Sequence, residues 1–198
     1  MKFFLIVCVV LSIVFAGCII IRQTATLPPP PYSGSVPLTG QIIHSPDGDM
    51  IATIPEGWIL LDTENKTEPD KILVLVDTAY SGIIFFEKFT TTPELTADIQ
   101  QDGIEVAARK SFARLQTKTH GAATLFSSYL TFGVDDRAFC SYEYTTDHKR
   151  TKNRVVVFSA GKQIYECVAA QISTDEKAMM PFADLCTSQQ SVVNSIRW

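Results

Sequence analysis

Hydrophobic positions along this chain follow three patterns in turn: one unbroken run, several short two-residue alternations, and two stripes of helical period. Phe3 to Ile21 carries no charge. Roughly 20 apolar residues at 1.5 Å rise span a bilayer, so the run is long enough to cross one. Leu27-Pro28-Pro29-Pro30-Pro31-Tyr32 and Ser33-Gly34-Ser35 follow. They predict polyproline II and then a flexible step. Folded structure is expected from about Gln41. Met50 to Ile54 alternates like a strand after the turn residues Pro46-Asp47-Gly48-Asp49. Pro55-Glu56-Gly57-Trp58 predicts a turn, with Trp58 packing inward before Ile59-Leu60-Leu61. Asp62 to Asp70 is polar and reads as a loop. Ile72 to Asp77 and Ile83 to Phe89 read as strands joined at Tyr80-Ser81-Gly82.

The helical period appears twice. Thr91-Thr92-Pro93-Glu94 has a threonine cap, a proline in the first turn and a glutamate three after Thr91. The stripe Leu95, Ile99, Ile104, Ala108, Phe112 and Leu115 predicts one helix to about Leu115. Its step of five across Gly103 predicts a kink there. Strand patterns follow at Ala122 to Phe132, Arg137 to Thr146, Arg154 to Ser159 and Gln163 to Ile172. Their connections are of hairpin length, which implies an antiparallel meander. A last helix is expected after Ser173-Thr174-Asp175-Glu176, running to about Ile196 with Phe182, Leu185, Cys186, Gln189, Val193 and Ile196 on one face. Helices laid on an antiparallel sheet make the class α+β.

The apolar run ends in Phe15-Ala16-Gly17-Cys18. Small residues before a cysteine fit a lipoprotein signal, with Cys18 the acylated residue after cleavage. The competing reading is a transmembrane helix that is never cut. The organisation expected is residues 1–17 as signal peptide, 18–40 as a lipid-anchored proline-rich tether, and 41–198 as one domain. At about 3.1 Å per residue, an extended tether holds that domain roughly 60 Å from the membrane. Ile19 after the cysteine, in place of Asp, resembles outer-membrane sorting in a cell with two membranes. The domain then faces the periplasm or the exterior.

The chain has 198 residues, 46% of them hydrophobic and 19% charged, which suits a globular domain. A formal net charge of −4 provides no global basic field for nucleic acid. Five cysteines are present. Beyond Cys8 and Cys18 in the leader region, Cys140, Cys167 and Cys186 remain. They lack Cys-x-x-Cys spacing, so neither a redox motif nor a zinc cluster is indicated. Two readings stay open: three buried thiols, or a Cys167–Cys186 disulfide pinning the last helix to the sheet. Such a bridge closes a loop of around 20 residues and stabilises by roughly 3 kcal/mol.

Catalytic patterns are weak. No Gly-x-Ser-x-Gly occurs, and His44, His120 and His148 sit in separate loop-like contexts. Gly161-Lys162 lies on a β-turn without a glycine-rich approach to a helix. Asp62, Glu64, Glu68 and Asp70 do not have the spacing of a calcium loop. No cofactor or metal is called for. The basic residues His148, Lys149, Arg150, Lys152 and Arg154 cluster at one hairpin turn. A solvated turn is one reading. Contact with an anionic partner or headgroup is the other, at about 1 kcal/mol per basic side chain near a charged surface.

Several stretches, taken in order, resemble the PsbP family and its bacterial relatives. They are Ile54-Pro55-Glu56-Gly57-Trp58, the Thr-Pro-Glu helix start, and Gly133-Val134-Asp135-Asp136. Gly161-Lys162-Gln163-Ile164-Tyr165 leading into Cys167-Val168-Ala169-Ala170, and a terminal helix with Phe182 and Ser191 to Ile196, complete the set. The resemblance covers about Gln41 to Trp198. It implies an α/β/α sandwich around a central antiparallel sheet. Photosynthetic members are extrinsic subunits that help retain calcium and chloride at the oxygen-evolving centre, through N-terminal segments and surface residues not matched here. The expectation is therefore a non-enzymatic, membrane-anchored lipoprotein that binds or scaffolds an envelope protein. The alternative is a small-ligand carrier or enzyme using a pocket between helix and sheet.

Overall fold

A computed structural model describes residues 26–61, 71–146, 151–172 and 179–198. A two-stranded ribbon, β1 (Leu38–His44) and β2 (Ile51–Pro55), precedes the main sheet. That sheet has eight strands: β3 (Trp58–Leu61), β4 (Lys71–Asp77), β5 (Gly82–Phe89), β6 (Thr124–Leu125), β7 (Leu130–Val134), β8 (Arg137–Thr146), β9 (Thr151–Ala160) and β10 (Gln163–Gln171). Their order is β3-β4-β5-β10-β9-β8-β6, with β7 also paired to β8. Every pairing is antiparallel. The meander β7-β8-β9-β10 is as the connection lengths require. At β7–β8 the loop is two residues, Asp135 and Asp136, both at positive φ. That primed turn matches the twist of the strands it joins.

The helix pattern resolves into α1 (Pro93–Asp102) and α2 (Glu105–Lys118). The cap is Thr92, whose hydroxyl accepts from Leu95 N. Between the two helices Gly103 adopts φ 86°, open to glycine at little cost. The expected kink is thus a complete break. The pattern over Ala122 to Phe132 likewise divides into the short β6 and β7. Residues 173–176, where the last helix was placed to start, lie outside the described residues. The helix itself, α3, spans Phe182–Ser195.

Alternation along the strands gives the sheet two apolar faces. Cys140, Tyr142, Val155, Val157, Ile164 and Val168 meet α1 and α2 through Leu95, Ile104, Ala108 and Phe112. Phe86, Phe139, Val156, Phe158, Tyr165 and Cys167 meet α3 through Leu185, Val192 and Val193. The architecture is an α/β/α sandwich. Trp58 packs inward on the α3 side, as its turn context requires. A path of seven strands about 4.8 Å apart is roughly 29 Å wide, and a helix covers about 10 Å of it. α3 therefore needs help on its face. The ribbon supplies some: Thr53 N donates to Ser195 Oγ, and Ile51 and Arg197 bond backbone to backbone. Among the described residues, no helix is long and apolar enough to cross a membrane.

The N-terminal segment supplies the rest. Residues 27–37, expected as part of a spacer, lie against the domain. Gly133 N donates to the Pro28 carbonyl at 2.9 Å, Val36 N to Ser191 Oγ at 3.0 Å, and Glu56 N to the Pro37 carbonyl at 2.8 Å. A polyproline segment has no internal hydrogen bonds, so its carbonyls remain available to a sheet edge.

Candidate functional site

The segment ending at Pro37 and α3 enclose an unusual charge. Arg154 stands in β9 on the same face as Val156 and Phe158, and it is fully buried. Its two terminal nitrogens donate to Gln189 Oε1 and Gln190 Oε1, each at 3.0 Å, while Nε has no partner. Both bonded acceptors are neutral amides. The guanidinium also lies 4.8 Å from the Tyr32 ring centre and 5.8 Å from that of Phe132. Burial pulls its pKa below the ordinary arginine value, with Cys186, Tyr32 and Glu143 opposing that shift. Taking a charge out of water costs several kcal/mol. Here charge-assisted hydrogen bonds and desolvated cation–π contacts offset that cost.

Tyr32 is the lid of this arrangement. Its hydroxyl donates to Glu143 Oε1 at 2.8 Å across 111 residues of sequence, and burial raises the phenol's pKa. Tyr32, Gly34 and Val36 are half-buried and Pro31, Ser33 and Ser35 exposed, an alternation of two-residue period. At Gly34, with φ 57°, an added Cβ would stand 3.1 Å from the Gln190 backbone. At Gly133 one would stand 3.1 Å from Leu27 Cβ. The strap and its bed thus meet at two glycines. Past Gly34 the contact opens into a cavity of about 420 Å³, lined by Val36, Leu38, Ile42, Ile51, Asn194 and Arg197 among others.

Arg154 therefore departs from the surface cluster in which its sequence neighbours place it. Lys152 is exposed, its ammonium 5.8 Å from the Phe126 ring centre. His148, Lys149 and Arg150 lie outside the described residues, as does Cys18. Of the two readings of the cysteines, the structure has the buried thiols: Cys140, Cys167 and Cys186 are all free and buried. Cys167 has Gln189 as a neighbour and Cys186 has Tyr32, with Arg154 beside both, so polar side chains surround the two sulfurs. Burial pushes both thiols up to about 12 and Cys140 to about 11. Thiols held so high stay protonated at neutral pH and are poor nucleophiles. His44 and His120 are exposed and lie on different elements, the first in β1 and the second in the turn after α2. Among the described residues, no three His, Cys, Asp or Glu side chains converge.

The other face of the sheet holds a second polar group. Glu87 of β5 and Glu166 of β10 stand directly opposite each other. Arg114 of α2 reaches Glu166 Oε2 at 2.8 Å and Glu87 Oε2 at 3.3 Å, and Lys118 Nζ lies 3.8 Å from the latter oxygen. Glu166 Oε1 is buried without a partner beside a cavity of about 60 Å³. Burial raises the Glu166 pKa, Arg114 opposes the rise, and the Glu87 charge adds to it. Like charges opposite each other on paired strands repel. Arg114 is their internal counter-ion, and the cluster fastens α2 to the sheet.

The edge at β3 is different again. Ile59, Leu60 and Leu61 are 44%, 44% and 40% exposed, three consecutive apolar side chains on the outermost strand. Sequence alone shows them as strand-forming. Their exposure depends on β3 falling last in the sheet, which no local signal encodes. Arg154 did carry a signal: Gln189 falls in the apolar stripe of the last helix, and a buried amide requires a buried polar partner.

No family model matches the sequence, and no curated protein matches it. The structure is similar to the solution structure of cyanobacterial PsbP (CyanoP) from Synechocystis sp. PCC 6803. The TM-score is 0.56 at 13% identity, over 79% of this chain and 91% of that one. A crystal structure from Bacteroides thetaiotaomicron VPI-5482 aligns at TM-score 0.37 and 12% identity, over 80% of this chain and 48% of that one. The fold is PsbP-like, and at 13% identity the likeness is one of fold.

Proposed function

We propose that this PsbP-like domain is a non-catalytic binding module of the cell envelope, carried on a lipid at Cys18, that docks a protein partner along β3. The open edge carries the reading. Sheet edges are usually blunted by charge, proline or bulges, because their free backbone groups recruit other strands. Trp58-Ile59-Leu60-Leu61 has none of these devices on its own four residues. An added strand would pair with the backbone and take the apolar side chains on both faces. The thiols held protonated and the separated histidines also favour binding over catalysis.

Photo-crosslinking from position 60 in intact cells tests it, with exposed Thr96 as the control position. One dominant protein adduct is expected from position 60, lost when Ile59 and Leu61 are changed to lysine. The same adducts from both positions would end the docking reading. Mass spectrometry of the mature chain tests the anchor separately: a fragment starting at acylated Cys18 supports it, and an intact Met1 sinks it. A second reading, a small-ligand carrier, is favoured by the 420 Å³ cavity between α3, the ribbon and the strap. Native mass spectrometry of the purified chain decides it by the presence or absence of a retained mass.

A further inference from the structure

The strap over Arg154 is held by few bonds for its length. Residues 27–29, 31, 33 and 35 are exposed, while Pro30, Tyr32, Gly34 and Val36 are half-buried, the last three along Arg154, Gln190 and Ser191. At its C-terminal end the Glu56–Pro37 bond fixes a hinge. Beneath it lies a site with every feature of a peptide groove. The Gly133 N–H of β7 points out to meet a carbonyl. The Glu143 carboxylate accepts a phenol, and Ser191 Oγ accepts a backbone N–H. The buried Arg154 has the Tyr32 ring 4.8 Å from its guanidinium and no hydrogen-bond partner at Nε.

We infer that this groove is a recognition site for an extended, proline-flanked, tyrosine-bearing segment of a partner protein, and that residues 27–36 are its built-in competitor. The strap itself shows which chemistry fits. A carbonyl about four residues before the tyrosine meets Gly133, the ring covers Arg154, a glycine two residues on clears Gln190, and an N–H two further meets Ser191. The competitor keeps the guanidinium covered whenever no partner is bound, so the open groove is a bound state rather than a resting one. Its affinity for an outside segment falls by the fraction of time the strap is closed. The site is separate from β3 and stands whether or not that edge docks a partner.

The test uses the full chain and a labelled peptide of the sequence of residues 27–36. Tyr32→Ala removes the lid and leaves the groove intact. The peptide is expected to bind Tyr32→Ala at least about tenfold more tightly than the wild-type chain, whose own strap competes. A peptide with alanine for its tyrosine is expected to bind neither. Equal or absent binding to both chains, with Tyr32→Ala folded by circular dichroism, would overturn the inference. Hydrogen exchange gives an independent check on the wild-type chain. The Val36 amide should exchange far faster than amides of β9 and β10, because strap opening is local. Protection of Val36 equal to that of the central strands would make the strap a permanent core element and also overturn it.

Discussion

The two edges of the main sheet meet solvent in opposite ways. At the β6/β7 end, a proline-rich strap takes the Gly133 N–H, covers a buried arginine and supplies the width α3 lacks. At the β3 end, three apolar side chains stand uncovered. The first edge is satisfied by the chain's own remote residues. The second retains capacity for something else. The contrast shows that exposure of apolar surface here is not a general consequence of a small core. Among the described residues, the same sheet covers one edge with eleven spare residues and leaves the other open.

The comparison breaks most decisively at Arg154. Arg154→Ala removes the group that Gln190, Tyr32 and Phe132 are arranged around, and should cost about 3 kcal/mol in urea unfolding. A loss below about 1 kcal/mol would mean the guanidinium is solvated and the strapped edge is not closed. Gly34→Val forces a side chain against Asn194 and the Gln190 backbone at positive φ and should cost about 2 kcal/mol while freeing the strap. Unchanged exchange at Val36 in that variant would remove the close approach from the account.

Glu166→Gln sharpens the comparison by probing the face that neither edge touches. A carboxyl whose folded pKa is raised binds its proton more tightly in the folded state. Its favourable contribution is complete below the unfolded glutamate pKa, about 4.3, and is lost as pH rises through the folded value. Wild-type thermal stability should therefore fall, relative to Glu166→Gln, as pH is raised above that range. A pH-independent difference between the two would show that Arg114 neutralises Glu166 fully. The smallest effect belongs to the bare edge. Leu60→Lys should change stability by less than about 0.5 kcal/mol while abolishing partner capture. A larger loss would show that Leu60 is already packed in the isolated chain.

The sheet was legible in the sequence because its signals are local. Val155 to Phe158 is an unbroken β-branched and aromatic run, Gln163 to Ala170 is rich in strand formers, and Gly103 marks its helix break by an added step in the stripe. Arg154 itself borders a basic turn, and that local context points it to the surface. Its burial depends on Tyr32, Gln189 and Gln190, remote in sequence and none predictive alone. The strap reads as a spacer for the same reason. Consecutive prolines carry the composition of a linker, and residues about 100 or more away, among them Gly133, Glu143, Arg154 and Ser191, turn them into a packed segment. The Glu87–Glu166 pair needed strand register, which neither strand specifies by itself.

The packed strap also changes the reach of the domain if Cys18 carries the proposed lipid. Counting from a residue-18 anchor, only nine residues precede Leu27, at most about 28 Å of leash at 3.1 Å per residue instead of roughly 60 Å. The volume the domain can search near the membrane shrinks to about a tenth, and its local concentration against a membrane-bound partner rises in the same proportion. Release of the strap would lengthen the leash by a further ten residues at the moment the groove engages a partner. Occupancy and reach would then be set by one short stretch of chain.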